Sequence, residues 1–335
     1  MSSGRFRLNA DELRDLSSRR DGPGLCRAAV HLGAVLLGMA AMWQTRGTVW
    51  VVPLVLLTGW PMAFLFNAMH ECAHQTAFRT RSLNLALGHL AGLCVLLPYE
   101  YYRSFHWEHH RHTQQPGSDP EMSLVLPHTR SGWLWLMLGF PVWFKRNVPT
   151  LLRHAAGRVR APWVVPDKRA LIVREARAYL AVYALLAFAS VLVWPGALLL
   201  LWLAPLAAGQ MLLRPYLLAE HTGCGQSRDM LENSRSIEAN RLVRFFAWNM
   251  PYHAEHHAYP AVPFHALPRL HERASPHLRR RASGYLAATR EVFAFLVKGA
   301  NPPLTGGPTP EAPVSPALSR PASPNRPPRS AGSSR

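Results

Sequence analysis

The chain has 335 residues, of which 49% are apolar, with 37 Lys and Arg against 19 Asp and Glu and a formal charge of +18. Its mean hydropathy of −0.03 is mild for a membrane protein, but long apolar stretches alternate with Arg-rich ones and the average hides both. Basic residues beside apolar spans fit a cytoplasmic membrane face against anionic lipid, and exclude nucleic acid as the expected partner. Cys26, Cys72, Cys94 and Cys224 form no C-x-x-C pair, which argues against a disulfide framework or a thiolate zinc site.

Residues 1–27 are polar and acid-containing for most of their length. They read as a cytosolic N-terminal segment rather than a cleavable signal peptide. Apolar spans follow over residues 28–43 and 49–66, separated by one short turn, and are expected to form a helical hairpin. Residues 83–97 are apolar but too short for a full crossing, so a re-entrant or interfacial helix is expected there. Residues 133–144 are Trp-rich and read as an interfacial amphipathic helix. A third span begins near Tyr179 and a fourth ends near Leu213, with Trp194-Pro195-Gly196 as the turn. From residue 300 to residue 335 the chain is rich in Pro, Ser and Arg, and is expected to be a disordered tail.

The turn near Gly47 carries one Arg and that near Pro195 none, whereas the opposite side holds Arg19, Arg20, Arg79, Arg103, Lys145 and many more. Both termini and all histidine clusters are therefore expected on the cytoplasmic side. The fold class is an all-α integral membrane protein, with four transmembrane helices in two hairpins, re-entrant or interfacial helices and a helical cytosolic cap.

Of 17 histidines, eight fall in three tight groups: His70 and His74; His106, His109 and His110; His253, His256 and His257. On an α-helix, positions i, i+3 and i+4 share a face, so each group projects its imidazoles toward a common point. Eight imidazoles exceed what one metal takes and suit two metals. Imidazole serves several metals, and a nitrogen-rich, redox-capable pair beside an apolar cavity favours iron. The first box, His70-Glu71-Cys72-Ala73-His74, also fits the H-E-x-x-H pattern of a zinc metalloprotease, a rival that leaves the other boxes without purpose. A metal transporter would need ionisable groups inside the spans, which are nearly free of them.

The H-x-x-x-H, H-x-x-H-H and H-x-x-H-H boxes, with their flanks FHWEHHRHTQQPGSDPE and NMPYHAEHHAYPAVPFHALPRLH, resemble the membrane fatty acid desaturase and hydroxylase superfamily. The resemblance covers about residues 28–290, read as one desaturase-like domain. It implies a mushroom-like fold, two Fe ions held by the eight box histidines, and O2-dependent attack on an unactivated C–H bond of a lipid. Desaturation of an acyl chain is the favoured outcome, with hydroxylation or ketolation of a lipid, sphingoid or carotenoid as the alternative. Related enzymes use a further histidine after the last span, which points to His221 as a ninth ligand. The two electrons per turnover imply a separate donor such as a ferredoxin with its reductase, since no iron–sulfur, nucleotide-binding or cytochrome b5 motif is visible.

Bland roles are expected for the rest. His112 points off the ligand face, His89 lines the cavity or a polar gap, and His31 sits at the membrane edge without a visible partner. His128, His154, His265, His271 and His277 read as surface or interfacial. Glu71, Glu108, Asp119, Glu121, Glu220, Glu255 and Asn249 are candidates to orient ligating imidazoles, or to pair with the abundant Arg.

Overall fold

A computed structural model of the chain describes residues 6–299 apart from residue 125. The tail expected over residues 300–335 lies outside the described residues. The described residues are 70% helix, with two short parallel strands, β1 (Ser236–Ile237) and β2 (Arg281–Ala282), as the one sheet among them.

The N-terminal segment opens with α1 (Ala10–Leu16), whose Asn9 and Glu12 form a reciprocal capping box. The first long pair is α2 (Asp21–Gln44) and α3 (Val51–Ala73). α2 begins before its apolar run and α3 ends after its own, because the polar first turn of α2 and the polar last turn of α3 continue the helices past the apolar residues. Next come α4 (Arg81–Cys94) and α5 (Tyr99–His112), which meet at 100°. Glu175 fixes this bend by accepting the Glu100 and Tyr101 backbone N–H groups at 2.8 and 3.3 Å, two donors that a helix N-terminus leaves open.

The amphipathic stretch is broken rather than single. It runs as α6 (Arg130–Met137), a left-handed Gly139 with φ of 75°, the one-turn α7 (Phe140–Val142), a π turn (Trp143–Asn147) and α8 (Val148–Ala155). The third long helix, α9 (Pro166–Val193), begins well before Tyr179. Lys168, Arg169, Arg174 and Arg177 hide its first turns from an apolar reading, and Pro166 at the first turn starts it. A second π turn (Leu199–Leu203) leads into α10 (Ala204–His221). The cap is completed by α11 (Met230–Asn233), α12 (Arg241–Phe246), α13 (His253–Ala258), α14 (Leu267–Ala274) and α15 (Tyr285–Lys298).

Among the described residues three helices, α2, α3 and α9, are long and apolar enough to cross a membrane, or four if the bent α4–α5 pair is one span. The expected fourth span, ending near Leu213, is not among them: it is divided between the π turn and α10, and α10 runs on through Arg214 and Glu220 to His221. The spans turn large apolar side chains outward: Leu37 is 73% exposed, Leu57 70% and Leu192 70%. A water-soluble protein does not display such continuous apolar surface, so this is a surface made for lipid.

The histidine at the edge of the first span is not free, as the sequence reading has it. His31 is fully buried, with Nε2 donating to the Pro61 carbonyl at 2.8 Å and Nδ1 accepting from the Trp248 indole at 3.1 Å. Trp248 and Asn249 are consecutive left-handed residues (φ 53° and 58°) that turn the chain into the third box. Through His31, that strained turn is pinned to the first helical pair.

α3 packs most extensively on α10, through Gly59 and Gly209. A Cβ on Gly209 would stand 2.0 Å from the Gly59 carbonyl oxygen, so the two backbones touch. Gly209→Leu is therefore expected to lower the melting temperature of the detergent-purified protein sharply, by an overpacking cost of about 1–3 kcal/mol or more. Gly33→Leu, where nothing stands within 4 Å of an added Cβ, is the control and changes little. Equal melting of the two variants contradicts the close crossing.

Candidate metal centre

Four helix ends deliver nine imidazoles to one place. The C-terminal turn of α3 brings His70 and His74, α5 brings His106, His109 and His110, the last residue of α10 is His221, and α13 brings His253, His256 and His257. All nine are buried, none more than 7% exposed. Helical spacing aligns each box, and the skipped residues fall elsewhere: Trp107 packs its ring against His74 and donates to the Ala73 carbonyl at 3.3 Å.

The ring nitrogens converge in two groups. His70, His74, His106, His110 and His256 offer nitrogens within 4.8 Å of one another, and so do His109, His221 and His257. His253 joins the second group, with its Nε2 2.8 Å from that of His221. Within the first group, His106 Nε2 stands 2.8 Å from His74 Nε2 and 3.0 Å from His110 Nε2. In the second, His109 Nε2 is 3.2 Å from His221 Nε2.

These separations fit a metal. Two nitrogens each about 2.1 Å from an ion, at right angles to it, stand about 3.0 Å apart. Without an ion the arrangement is costly. Among the described residues His70 and His256 have both ring nitrogens buried without a hydrogen-bond partner, and His257 has its Nε2 so. Each such atom would forfeit about 1–3 kcal/mol.

Protonation agrees with this. Burial, with the charge of His109 added, pushes His256 down to about 3. Burial first, then neighbouring imidazoles, holds His253 and His257 well below the usual imidazole range. Neutral rings keep a lone pair for a cation.

Three rings of the second group have their tautomers set from outside. His109 Nδ1 donates to Asp119 at 2.9 Å, His221 Nδ1 to the Asn233 carbonyl at 3.2 Å, and His257 Nδ1 to the Thr113 hydroxyl at 3.2 Å. In each ring Nε2 is left as the free donor atom. Burial raises the Asp119 carboxyl, but the bond and charge of His109 and the Gln114 and Glu121 N–H groups outweigh it and hold Asp119 below its ordinary value. Glu121 adds a carboxylate oxygen 3.7 Å from His109 Nε2. In the first group, by contrast, the Nδ1 atoms of His70, His74, His106, His110 and His256 have no such partner among the described residues.

The other acids divide. Glu220 lies 3.4 Å from His253 Nδ1, without hydrogen-bond geometry. Glu71 faces away from the imidazoles and accepts the Phe264 N–H at 2.9 Å. Glu108 pairs with Arg111 and His112, Glu255 with Ser236 and His271, and Asn249 donates to the Phe264 carbonyl. With Glu71 engaged elsewhere and His70 and His74 grouped with imidazoles of the other boxes, the metalloprotease pattern has no structural counterpart. Thr113, Asn233 and Ser234 are the contacts missed in sequence. Thr113 could have been found, one turn after His109, whereas the loop carbonyl of Asn233 leaves no pattern.

The remaining histidines stay outside the two groups. His112 is partly exposed, beside Glu108 and Gln115. His89 meets Glu175 and Tyr179, and His128 meets the Leu296 carbonyl. His154, read as surface or interfacial, is buried against the ring of Tyr101.

A cavity of about 300 Å³ opens beside the imidazoles. His70, His106, His109, His221 and His253 form one wall, and Phe66, Leu97, Leu136, Leu213, Leu217 and Phe295 are among its apolar lining.

Comparison with known proteins agrees with this architecture. Residues 47–288 match the fatty acid desaturase family model. The chain is 28% identical to the sphingolipid delta(4)-desaturase/C4-monooxygenase DES2 of Rattus norvegicus over 252 residues, 69% of each chain. It is 32% identical to the sn-1 oleoyl-lipid 12-desaturase of a Picosynechococcus species over 95 residues, 28% of this chain and 26% of the relative. It is 34% identical to the zeaxanthin 4-ketolase of Chlamydomonas reinhardtii over 103 residues, 30% of this chain and 22% of the relative. With buried imidazoles grouped as a metal centre beside an apolar cavity, and a family match across most of its length, the chain is an oxidoreductase that belongs to the fatty acid desaturase family.

Proposed function

We propose that the protein is a di-iron membrane enzyme that desaturates the acyl chain of a lipid at the expense of O2. The observation that carries this reading is the wall of buried imidazoles, in two groups of metal-binding spacing, facing an apolar cavity. His70, His74, His106, His110 and His256 would hold one iron, and His109, His221, His253 and His257 the other. When bound, such a pair supplies the reduction of O2 coupled to removal of hydrogen from an unactivated C–H bond. Per turnover, one O2, two electrons and two protons convert a –CH2–CH2– unit into a double bond and two waters.

The chain's own residues do the rest. Phe66, Leu97 and Leu213 keep water from the reacting carbons and confine the acyl chain beside the imidazoles. Asp119, Thr113 and the Asn233 carbonyl hold three rings in the tautomer that a metal requires. Hydroxylation or ketolation of a lipid on the same scaffold is the second reading. It is favoured by the relatives named a desaturase/C4-monooxygenase and a 4-ketolase.

In the membrane, α2–α3 and α9–α10 form two hairpins and α4 dips in and returns through its bend into α5. Both termini and the metal centre then lie on the cytoplasmic side, as the loop charges favour. Electrons arrive there from a separate carrier such as a ferredoxin with its reductase.

Metal analysis tests the centre directly. The detergent-purified protein is expected to carry about two irons per chain, four to five imidazoles serving each. His221→Ala should lower the iron content toward one and abolish turnover, as should alanine at any box histidine, whereas His112→Ala keeps both. A single stoichiometric zinc with full activity would sink the di-iron reading.

The electron route has its own test. Carriers of this kind are usually acidic and the chain carries +18, so docking is steered by charge. With limiting donor, turnover should fall as ionic strength rises, chiefly through association. Sustained lipid oxidation by the purified protein given NAD(P)H and O2 alone would show that the route is wrong.

A further inference from the structure

The cavity holds two guanidinium groups that the metal centre does not use, Arg146 and Arg214. Arg214 stands on α10 about two turns before His221, ~10 Å along the helix axis. It is held in place by the buried Gln210, whose Oε1 accepts from Arg214 Nε at 2.9 Å. Gly139 makes this possible: its left-handed backbone lets the chain lie on Gln210, and an added Cβ would come 2.8 Å from Gln210 Cγ. The π turn that follows, a feature common at functional sites, carries Arg146 into the same cavity, with its guanidinium 5.4 Å from the Phe105 ring.

Glu121 and Glu220 line the same cavity without forming an ion pair to either arginine. Among the described residues neither Arg146 nor Arg214 has a carboxylate at ion-pair distance. The charge that acts on Arg214 is the like charge of Arg146, while Arg146 itself feels Glu121 at longer range. An arginine in an apolar layer is costly and usually snorkels to the membrane edge. Arg214 lines the cavity instead, while Met211 and Leu212 beside it are exposed outward. Two guanidinia lining one largely apolar cavity are the chemistry that recognises carboxylate or phosphate oxygens.

We propose that Arg146 and Arg214 form a subsite for the anionic oxygen group, carboxylate or phosphate, of a lipid whose chain runs along the cavity to the imidazoles. This rests on the lipid-oxidation reading above and narrows its substrate. An uncharged lipid or a hydrocarbon ring system would bring neither guanidinium an anionic partner of its own.

Direct binding of tritiated ligands to the purified full chain in dodecyl maltoside, at about pH 8 where a carboxylate is ionised, tests this without turnover. Palmitate or lysophosphatidate is expected to bind about tenfold or more tightly than methyl palmitate. Whichever of the two binds tighter assigns the site to carboxylate or to phosphate. Arg146→Gln and Arg214→Gln should each bring the acid-to-ester ratio toward one, with ester binding retained as the sign of an intact fold. Should a variant fail to fold, the wild-type ratio alone decides. Equal binding of acid and ester by the wild type, or a ratio unchanged in both variants, overturns the subsite and leaves the lipid-oxidation reading standing. Binding of no acyl ligand at all overturns both.

Discussion

Nine buried imidazoles, six of them with ring nitrogens 2.8–3.2 Å from a neighbour's, are the constraint on which the rest of the structure depends. Such a cluster gives back little hydrogen bonding for the water it gives up, so it must be imposed by the scaffold and offset by a cation. Each scaffolding device found in the fold serves that imposition. The Gly59–Gly209 crossing brings the ends of α3 and α10 together, the Glu175 carboxylate holds the α4–α5 bend, and His31 locks the left-handed turn ahead of α13. Removing any of them would move a helix that carries these histidines.

This division explains what could be read in the sequence. The three boxes were legible because i, i+3 and i+4 spacing is a local property of one helix, and spacing alone predicts a shared face. The spans were legible where apolar runs were continuous. The start of α9 was not, because its first turns carry Arg and Lys on the outside while Glu175 points inward. His221 was reachable only through the family resemblance, which points to a histidine after the last span, since no repeat marks it.

What brings one helix to another is long-range and leaves weaker traces. The partner of His31 lies 217 residues away in Trp248, and that of His257 is Thr113, 144 residues away. No periodicity connects such pairs. Among the acids, sequence proximity to a box was a poor guide: Glu71, inside the first box, serves the Phe264 backbone, while Asp119, outside the second, orients His109.

The two imidazole groups are unlike in a way that bears on chemistry. The His109–His221–His257 group is held by a carboxylate, a carbonyl and a hydroxyl that fix each ring. The larger group has five rings packed edge to face and no such partners among the described residues. Two metals held so differently would not be equivalent in affinity or in redox balance. Imidazoles of both groups line the cavity, His70 and His106 from one and His109 and His221 from the other, so a lipid chain there meets both sides of the asymmetry. Which carbon is oxidised then depends on how far the chain is anchored from that wall. A cavity that fixes a lipid's polar end can select a bond position by distance alone, with no group needed to recognise the carbon itself.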